Sequence, residues 1–313
     1  FAVKEQGAGF TIADHHDFCK PIQASDVEFG YDGRMYVADY PTSPWKRDTS
    51  GGRIYTIFDK TRLSEPVIAE TRTLFQKGFR HRTTKELASL LHHDDMRVRL
   101  RAQFALAERG NASAEVFAGI ALRDDNQLAR LHAIWGLGQI GRLVPKRLAP
   151  VLALLQDKDS EIRAQSARVL GDAHYEPAAS AIVNLLADET PRVRFFAALA
   201  LAALRSRDAV DPVIVMLRDN DGKDRYLSHA GVVALQQIGD RERVQQWAGD
   251  KSAAVRMAVL LVQRRWSDPR IAQFLDDARL EIITEAARAI NDLPLTMGRE
   301  QLASLAERFK NAS

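Results

Sequence analysis

The stretch Asp159-Ser-Glu-Ile-Arg163-Ala-Gln-Ser-Ala-Arg-Val-Leu170 contains the pattern that decides the fold. An acidic residue is followed, after two or three spacers, by an aliphatic residue and an arginine, and then by an apolar run rich in small residues. The arginine recurs at positions 99, 130, 163, 194 and 256, so the spacings are 31, 33, 31 and 62 residues, the last being two periods. A period of about thirty residues is typical of stacked helix pairs, in which each pair buries its apolar face against its neighbours.

The acidic residue and the arginine of this pattern are interpreted as structural. A carboxylate at the start of a helix accepts hydrogen bonds from free backbone N–H groups and complements the helix dipole. The arginine is expected to tie neighbouring repeats together rather than to bind an anionic ligand, because it recurs once in each repeat. The predicted structural motif consists of Asp95, Arg99, Arg130, Asp159, Arg163, Arg194, Asp250 and Arg256.

Helical periodicity predicts a mainly α protein from Thr84 onward. The first helix pair is expected at 84–91 and 98–109, and a terminal helix is expected at 298–310. Glycines and prolines mark the helix ends between them, which gives seven helix pairs in all. The sequence therefore predicts that residues 84–313 form a right-handed α–α superhelix of HEAT-like helix pairs.

Residues 1–58 predict a small antiparallel β segment. Segments 26–30 and 34–38 form a hairpin around Tyr31-Asp32-Gly33, and 53–58 forms a further strand. Together with two edge strands near the start, this amounts to one propeller blade, whose edges need neighbouring blades. We expect the last blade of a propeller whose earlier blades lie outside this chain. The alternative is a small sheet that caps the solenoid. Residues 59–83 are expected to be a connector.

Composition limits the class of protein. The 313 residues are 46% hydrophobic and 27% charged, with a net charge of only +3 and interspersed signs, which argues against a large nucleic-acid surface. Cys19 is the only cysteine, which excludes an internal disulfide and a thiolate zinc cluster, and no C-x-x-C-H motif is present to attach haem. No apolar run is long enough to span a membrane. The start at Phe1 predicts that a leader has been removed or that the chain is a piece of a longer protein.

Two segments carry a resemblance to known families. The recurring aspartate and Val-Arg pair between Thr84 and about Pro294 resembles short HEAT repeats of the lyase type. The run from Ala24 to Tyr40, followed by Gly52-Arg-Ile-Tyr55, is similar to the closing blade of glucose/sorbosone dehydrogenase propellers. A blade followed by HEAT repeats resembles membrane-associated dehydrogenase-like proteins of planctomycetes and verrucomicrobia. This resemblance implies a periplasmic or cell-envelope location, with quinone, calcium and haem c bound only by parts outside this chain.

Several polar residues are of the types that bind metal ions. The runs His15-His16-Asp17 and His92-His93-Asp94-Asp95 are interpreted as polar turns, because adjacent side chains point apart and no third cluster follows at ligand spacing. Asp26 and Asp39, beside the predicted hairpin, remain weak candidates for a hard cation. Asp32 is better explained as a turn former. No metal, catalytic or cofactor site is predicted.

Aromatic residues and histidines offer weaker signals. Trp135, Trp247 and Trp266 fall on repeat helices and are expected in the core, and His132 and His229 are expected to pack within repeats. Trp45, in a loop, is the aromatic residue expected to be exposed for binding.

The leading functional hypothesis is a non-catalytic scaffold that docks protein partners or adjoining domains of a longer oxidoreductase-like protein, since no nucleophile with a base, phosphate loop or dinucleotide fingerprint is found. An alternative is a helical-repeat enzyme or lyase that acts on nucleic acid or a tetrapyrrole through a groove lined by arginine and tryptophan. Convergence of Arg168, Arg192, Arg264, Arg265 and Trp266 would favour it. A third possibility is a free-standing adaptor with a small β cap.

Overall fold

The structure is a computed structural model that describes residues 2–20, 22, 24–39, 52–293 and 298–310. Its contacts divide the chain into two compact units. The first unit contains Phe1–Lys4 and Ile12–Ile140, and the second contains Glu5–Thr11 and Gly141–Ser313. The seven residues 5–11 therefore group with the later repeats, although in sequence they lie between the two segments of the first unit.

Five short strands form the β region. They are β1 (Ala2–Gln6), β2 (Gly9–Asp14), β3 (Ala24–Phe29), β4 (Met35–Asp39) and β5 (Arg53–Ile57). Strands β1 and β2 make a two-stranded sheet, whereas β3, β4 and β5 make a separate antiparallel sheet in that order. The small antiparallel segment is confirmed. Within the described residues, however, the strands do not form the single four-stranded sheet of a propeller blade.

The turn between β3 and β4 has the chemistry expected of a tight hairpin. The Asp32 carboxylate accepts hydrogen bonds from the Arg34 backbone N–H at 3.3 Å and from the Tyr36 hydroxyl at 2.9 Å. Gly33 has a φ of +76°, which favours glycine. Asp32 is therefore a turn former, and the turn sets the register that pairs Val27 with Val37.

The predicted connector contains a helix that the sequence reasoning missed. Helix α1 (Pro66–Lys77) begins with proline in its first turn, where the missing N–H costs nothing, and ends at Gly78 with a φ of +72°. Thr71 and Leu74 are its buried residues. The apolar spacing of Ile68, Leu74 and Phe75 within residues 59–83 was the available signal for this helix.

The remaining described residues form seven helix pairs and a terminal helix, as predicted. No strand occurs in the described part of 84–310. None of the described helices combines the length and apolarity needed to cross a lipid bilayer. In the first unit the pairs are α2 (Thr84–Leu90) with α3 (Met96–Ala107), and α4 (Asn111–Arg123) with α5 (Gln127–Gly141), which extends to the boundary.

In the second unit the first helix of most pairs contains or adjoins 3₁₀ turns. Helix α6 (Ala149–Ala153) is flanked by the 3₁₀ turns Pro145–Leu148 and Leu154–Gln156, and α8 (Ala179–Asn184) is flanked by Glu176–Ala178 and Leu185–Ala187. Helix α10 (Val210–Asn220) follows the 3₁₀ turn Arg207–Ala209. The other two first helices are α12 (Arg241–Gln245) and the 3₁₀ helix Pro269–Asp276. The second helices are α7 (Ser160–Asp172), α9 (Pro191–Leu204), α11 (Arg225–Ile238), α13 (Ala253–Arg265) and α14 (Leu280–Asp292), and the terminal helix is α15 (Arg299–Lys310).

The core of the second unit lies where neighbouring second helices pack against one another. Leu170 on α7 and Val193 on α9 are fully buried. Gly171 allows close approach of the two helices, because a Cβ at this position would overlap Ala200. Leu199 was expected to be buried between repeats, but it is only partly buried. The expectation was wrong because the apolar face of α9 is wider than the contact that covers it.

Candidate protein-interaction surface

Two aspartates of the repeat motif begin the second helix of their pairs. The Asp95 carboxylate accepts a hydrogen bond from the Arg97 backbone N–H at 2.8 Å. Asp159 accepts from the backbone N–H groups of Glu161 at 2.9 Å and Ile162 at 3.4 Å. Both carboxylates thus satisfy N–H groups that lack partners in the first helical turn.

The motif arginines close the turn that precedes their own helix. In four repeats Nη1 donates to the backbone carbonyl six residues earlier. These bonds are Arg99 to His93 at 2.6 Å, Arg163 to Asp157 at 2.8 Å, Arg194 to Asp188 at 2.8 Å and Arg256 to Asp250 at 2.9 Å. Arg130 Nε donates to the Ala121 carbonyl at 2.9 Å. A buried carbonyl left without a donor would cost free energy, so the arginine completes the turn.

Within the second unit, arginines also bind aspartates of the following repeat. Arg163 binds Asp188 through two hydrogen bonds, and Arg256 binds Asp277 in the same bidentate manner. The hydrogen bond from Arg256 lowers the pKa of Asp277 below its usual value. The guanidinium groups of Arg163 and Arg256 therefore bind the following repeat and do not point together into open solvent.

Asp250 departs from the helix-start role predicted for it. Its Oδ1 accepts from the Ser252 backbone N–H at 2.8 Å, and Ser252 is the residue that precedes α13. Its Oδ2 accepts from Arg218 Nη2 of the preceding repeat at 2.6 Å, and this hydrogen bond lowers the pKa of Asp250. The aspartate therefore links two repeats.

A buried polar cluster surrounds His132 in the first unit. Its Nδ1 lies 2.8 Å from Gln103 Oε1, and its Nε2 accepts from Arg99 Nε at 3.4 Å. Burial, together with the positive charge of Arg99, lowers the pKa of His132 to about 4. The neutral ring with a proton on Nδ1 satisfies both partners, so His132 has a packing role. His229 is instead exposed, so the expectation that it packs within its repeat was wrong.

The weak cation candidates lie apart. In the sheet register Asp26 pairs with Ala38, whereas Asp39 is the next residue along β4. Successive residues of a strand point to opposite faces, so the two carboxylates lie on opposite faces of the sheet. Asp39 is buried and Asp26 is exposed. The structure therefore does not bring them together around one ion.

The histidine runs hold local contacts. His92 Nε2 lies 2.8 Å from Asp124 Oδ2 of the following repeat, and His93 Nδ1 accepts from the Asp95 backbone N–H at 2.9 Å. Near the chain start, His16 lies 3.8 Å from Asp14. Across the part of the chain that is described, no group of three or more metal-ligating side chains was found.

The arginines proposed to line a lyase-type groove do not all share one set of contacts. Arg168 and Arg192 both lie over the Phe196 ring, at 5.8 and 5.0 Å from its centroid. Arg192 binds Glu161 on α7, whereas Arg264 binds Glu285 and Asp292 on α14. The Trp266 indole N–H donates to the Gln236 carbonyl at 3.2 Å. These contacts do not converge on one groove.

The three repeat tryptophans are not core residues, because each is only half-buried. Two of them, Trp247 and Trp266, instead donate hydrogen bonds to a preceding repeat. The Trp247 indole N–H, for example, donates to Asp211 Oδ1 at 3.2 Å, while Arg218 lies over its ring. Trp135 and Trp266 are the other two. Trp45 lies outside the described residues.

Helix α3 exposes an apolar stripe that the sequence reasoning missed. Met96, Leu100 and Phe104 recur every four residues, which places them on one helix face, and they are 62%, 37% and 37% exposed. The opposite face carries Val98 and Leu106, which are fully buried. Apolar residues on both faces of α3 were the available signal. Which face stays uncovered depends on the neighbouring helices, so sequence alone does not decide it.

A cleft between α1 and α3 adjoins this stripe. It has a volume of about 360 Å³ and is lined by Phe75, Phe79, Arg80, Arg101, Phe104, Ala105 and Glu108. The rings of Phe75 and Phe79 meet edge to face, with centroids 5.4 Å apart. Both arginines are exposed, and no ion pair engages either of them among the described residues. The α3 stripe and this cleft together are called the α1–α3 surface below.

Comparison with known families supports the repeat assignment. Residues 84–164 and 148–230 match the family model for HEAT repeats. A search of curated proteins gave no match. The matched segment begins at the first helix pair and includes α3 of the α1–α3 surface.

A comparison with solved structures found chains that are similar to this one. Escherichia coli YibA is 20% identical, with a TM-score of 0.46, covering 76% of this chain and 96% of its own. A designed armadillo repeat protein in complex with the peptide (KR)4 is 16% identical, with a TM-score of 0.40, covering 67% and 99%. The CpcE–CpcF complex of phycocyanin lyase from Nostoc is 16% identical, with a TM-score of 0.41, covering 73% and 95%.

Proposed function

We propose that this chain is a non-catalytic scaffold that binds a polypeptide partner on the α1–α3 surface. The observation that carries the proposal is the exposed stripe of Met96, Leu100 and Phe104 on α3. Exposed apolar side chains that line up along one helix face mark an interaction surface more often than scattered ones do. HEAT repeats supply such helix faces in series.

The spacing of the stripe suits an amphipathic helix as the partner. Side chains at i, i+4 and i+8 follow one helix face over about 12 Å, which is the reach of three anchor residues on a second helix. The cleft lined by Phe75 and Phe79 offers a pocket for one larger apolar side chain. Apolar anchors seated in such pockets provide most of the binding free energy in helix-in-groove recognition.

The charged residues of the cleft indicate which charge the partner carries. Arg80 and Arg101 line the cleft and are exposed, whereas Glu108 is the acidic residue among its lining groups. An acidic residue beside the apolar anchors of the partner would complement the two guanidinium groups. The partner we propose is therefore an amphipathic segment with acidic flanks.

Selection from a random-peptide display library against the full chain tests this function. We expect enrichment of peptides with apolar residues at helical spacing and acidic flanks. Hydrogen exchange of the full chain with a selected peptide should slow at α1 and α3. Enriched peptides that protect neither helix would contradict the proposed surface, and so would a failure to enrich any sequence.

We further propose, from the family resemblance, that the chain belongs to a larger oxidoreductase-like protein of the cell envelope. In that protein quinone, calcium or haem would be bound by adjoining domains. The β region offers one supporting feature, because Val27, Phe29 and Ile54 are each more than half exposed, which a larger β structure would cover. The genomic reading frame tests this: further propeller blades upstream and a C-x-x-C-H motif downstream are expected.

A further inference from the structure

The turn between β1 and β2 is seated on the repeats of the second unit. The Ala8 backbone N–H donates to Asp224 Oδ2 at 2.6 Å, and Ala8 is only 4% exposed. Residues 5–11 belong to the second unit by their contacts. A small, buried alanine at the tip of an otherwise exposed hairpin indicates a specific contact.

Asp224 is placed to bind a backbone turn as well as to begin a helix. Its Oδ1 accepts from the backbone N–H groups of Tyr226 at 2.8 Å and Leu227 at 3.2 Å. These bonds fix the carboxylate at the start of α11 and leave Oδ2 directed at Ala8. The acceptor is therefore pre-oriented by the helix itself.

The site admits only small residues at the turn. Gly7 has a φ of +59°, and a Cβ on it would overlap the Asp224 carboxylate. A Cβ on Gly9 would overlap the Tyr226 ring. The sequence Gly7-Ala8-Gly9 therefore matches the surface in shape as well as in hydrogen bonding.

An aromatic contact follows the turn. The Arg192 guanidinium lies 5.4 Å from the centroid of the Phe10 ring and 5.0 Å from that of Phe196. Arg192 Nε also donates to Glu161 Oε2 at 2.6 Å, which holds the guanidinium in place. Phe10 therefore makes a cation–π contact with Arg192, whose position is already fixed by its hydrogen bond to Glu161.

We infer that the helix starts of α9 and α11 form a recognition site for a small-residue turn followed by an aromatic residue. This chain fills the site with its own residues 7–10, so a polypeptide that presents the same turn can enter only when the hairpin leaves. A tethered occupant has an effective concentration in the millimolar range, which excludes micromolar competitors. The site is separate from the α1–α3 surface and does not depend on the function proposed for it.

The experiment uses the full chain in three forms: wild type, Ala8→Glu and Val3→Glu. Ala8→Glu places a carboxylate against Asp224 and leaves the start of α11 intact. Val3→Glu makes the same charge change in β1, where Val3 is 62% exposed. The probe is a fluorescent peptide of residues 2–14 closed into a hairpin by an added cysteine at each end, since an isolated hairpin is marginally stable. Hydrogen exchange at residues 5–11 and peptide affinity are both measured.

The expected result has two parts. Exchange at residues 5–11 is at least tenfold faster in Ala8→Glu than in wild type or Val3→Glu, while α11 beyond its first turn is unchanged. The closed peptide binds Ala8→Glu at least tenfold more tightly than it binds the other two forms. Absence of protection at 5–11 in the wild type, or equal peptide affinity for wild type and Ala8→Glu, would overturn the inference.

Discussion

The Arg163 guanidinium donates to both carboxylate oxygens of Asp188, with Nε–Oδ2 at 2.8 Å and Nη2–Oδ1 at 3.0 Å. The two residues are 25 positions apart and belong to neighbouring repeats. Asp188 also accepts from the Thr190 backbone N–H, and its carbonyl accepts from Arg194. One aspartate therefore joins the second helices of two repeats.

Loss of this contact should destabilise the repeats. Both side chains are mostly buried, and removal of one partner from a buried ion pair leaves the other without compensation. We expect Arg163→Ala to lower the free energy of unfolding by about 3 kcal/mol, measured from urea midpoints.

The matched control is Arg168→Ala, five residues later on α7. Arg168 lies 3.7 Å from Asp172, and both side chains are about half exposed. A solvent-exposed pair of this kind contributes little, so we expect a loss of less than about 0.5 kcal/mol. Similar losses for the two variants would show that the Arg163–Asp188 contact does not stabilise the stack.

Two leucines on neighbouring second helices should differ in their cost of truncation. Leu170→Ala should cost about 2–5 kcal/mol because Leu170 is fully buried. Leu199→Ala should cost about 1–2 kcal/mol, since part of its side chain already contacts water. Equal denaturation midpoints for the two variants would contradict this description of the core.

His132 should make stability depend on pH. Its pKa is about 4 in the folded state, below the ordinary histidine value of 6.5, so the unfolded chain binds the proton more readily. The contribution of the neutral His132 ring to the free energy of unfolding is complete above about pH 6.5. It falls by up to about 3 kcal/mol as the pH is lowered toward 4. Urea unfolding measured between pH 7 and 4 checks this loss.

Histidine variants separate this effect from general acid sensitivity. His132→Gln should flatten the fall in stability between pH 6.5 and 4. His229→Gln, at an exposed histidine of the second unit, should leave the fall as in wild type. A steep fall that persists in His132→Gln would assign the pH dependence to other groups.

Repeat spacing predicted most of the fold, because the starts and ends of helices depend on local sequence patterns. The recurring motif arginines and the glycines and prolines between helices mark helix starts and ends, and together with the apolar periodicity they predict seven helix pairs. The aspartate that each arginine binds in a neighbouring repeat was harder to predict. Arg163 is four residues after Asp159, yet it binds Asp188, because Asp159 is already used by the helix start.

Exposure could not be predicted from the same patterns. Leu100 on α3 and Val98 beside it are equally apolar in sequence, but only Val98 is covered by neighbouring helices. Likewise, His132 and His229 precede alanines at equivalent positions, and one is buried while the other is exposed. Burial depends on which elements pack against a helix face, which a single sequence does not specify.

Calcium should leave the melting temperature of this chain unchanged. Asp26 and Asp39 lie on opposite faces of the sheet and cannot share one ion. A ligand present at 100 times its dissociation constant would stabilise the fold by about 2.7 kcal/mol, which a thermal scan detects. A rise in melting temperature with calcium that Asp39→Asn abolishes would show that a real site exists.

The most direct test of the proposed scaffold function is the affinity of a library-selected peptide for two matched variants. Leu100→Glu places a charge in the centre of the α3 stripe, and Leu122→Glu places the same charge on α4, where Leu122 is 39% exposed against 37% for Leu100. We predict that Leu100→Glu weakens binding at least tenfold in fluorescence anisotropy and that Leu122→Glu leaves it unchanged. Equal affinity for the two variants would contradict the account.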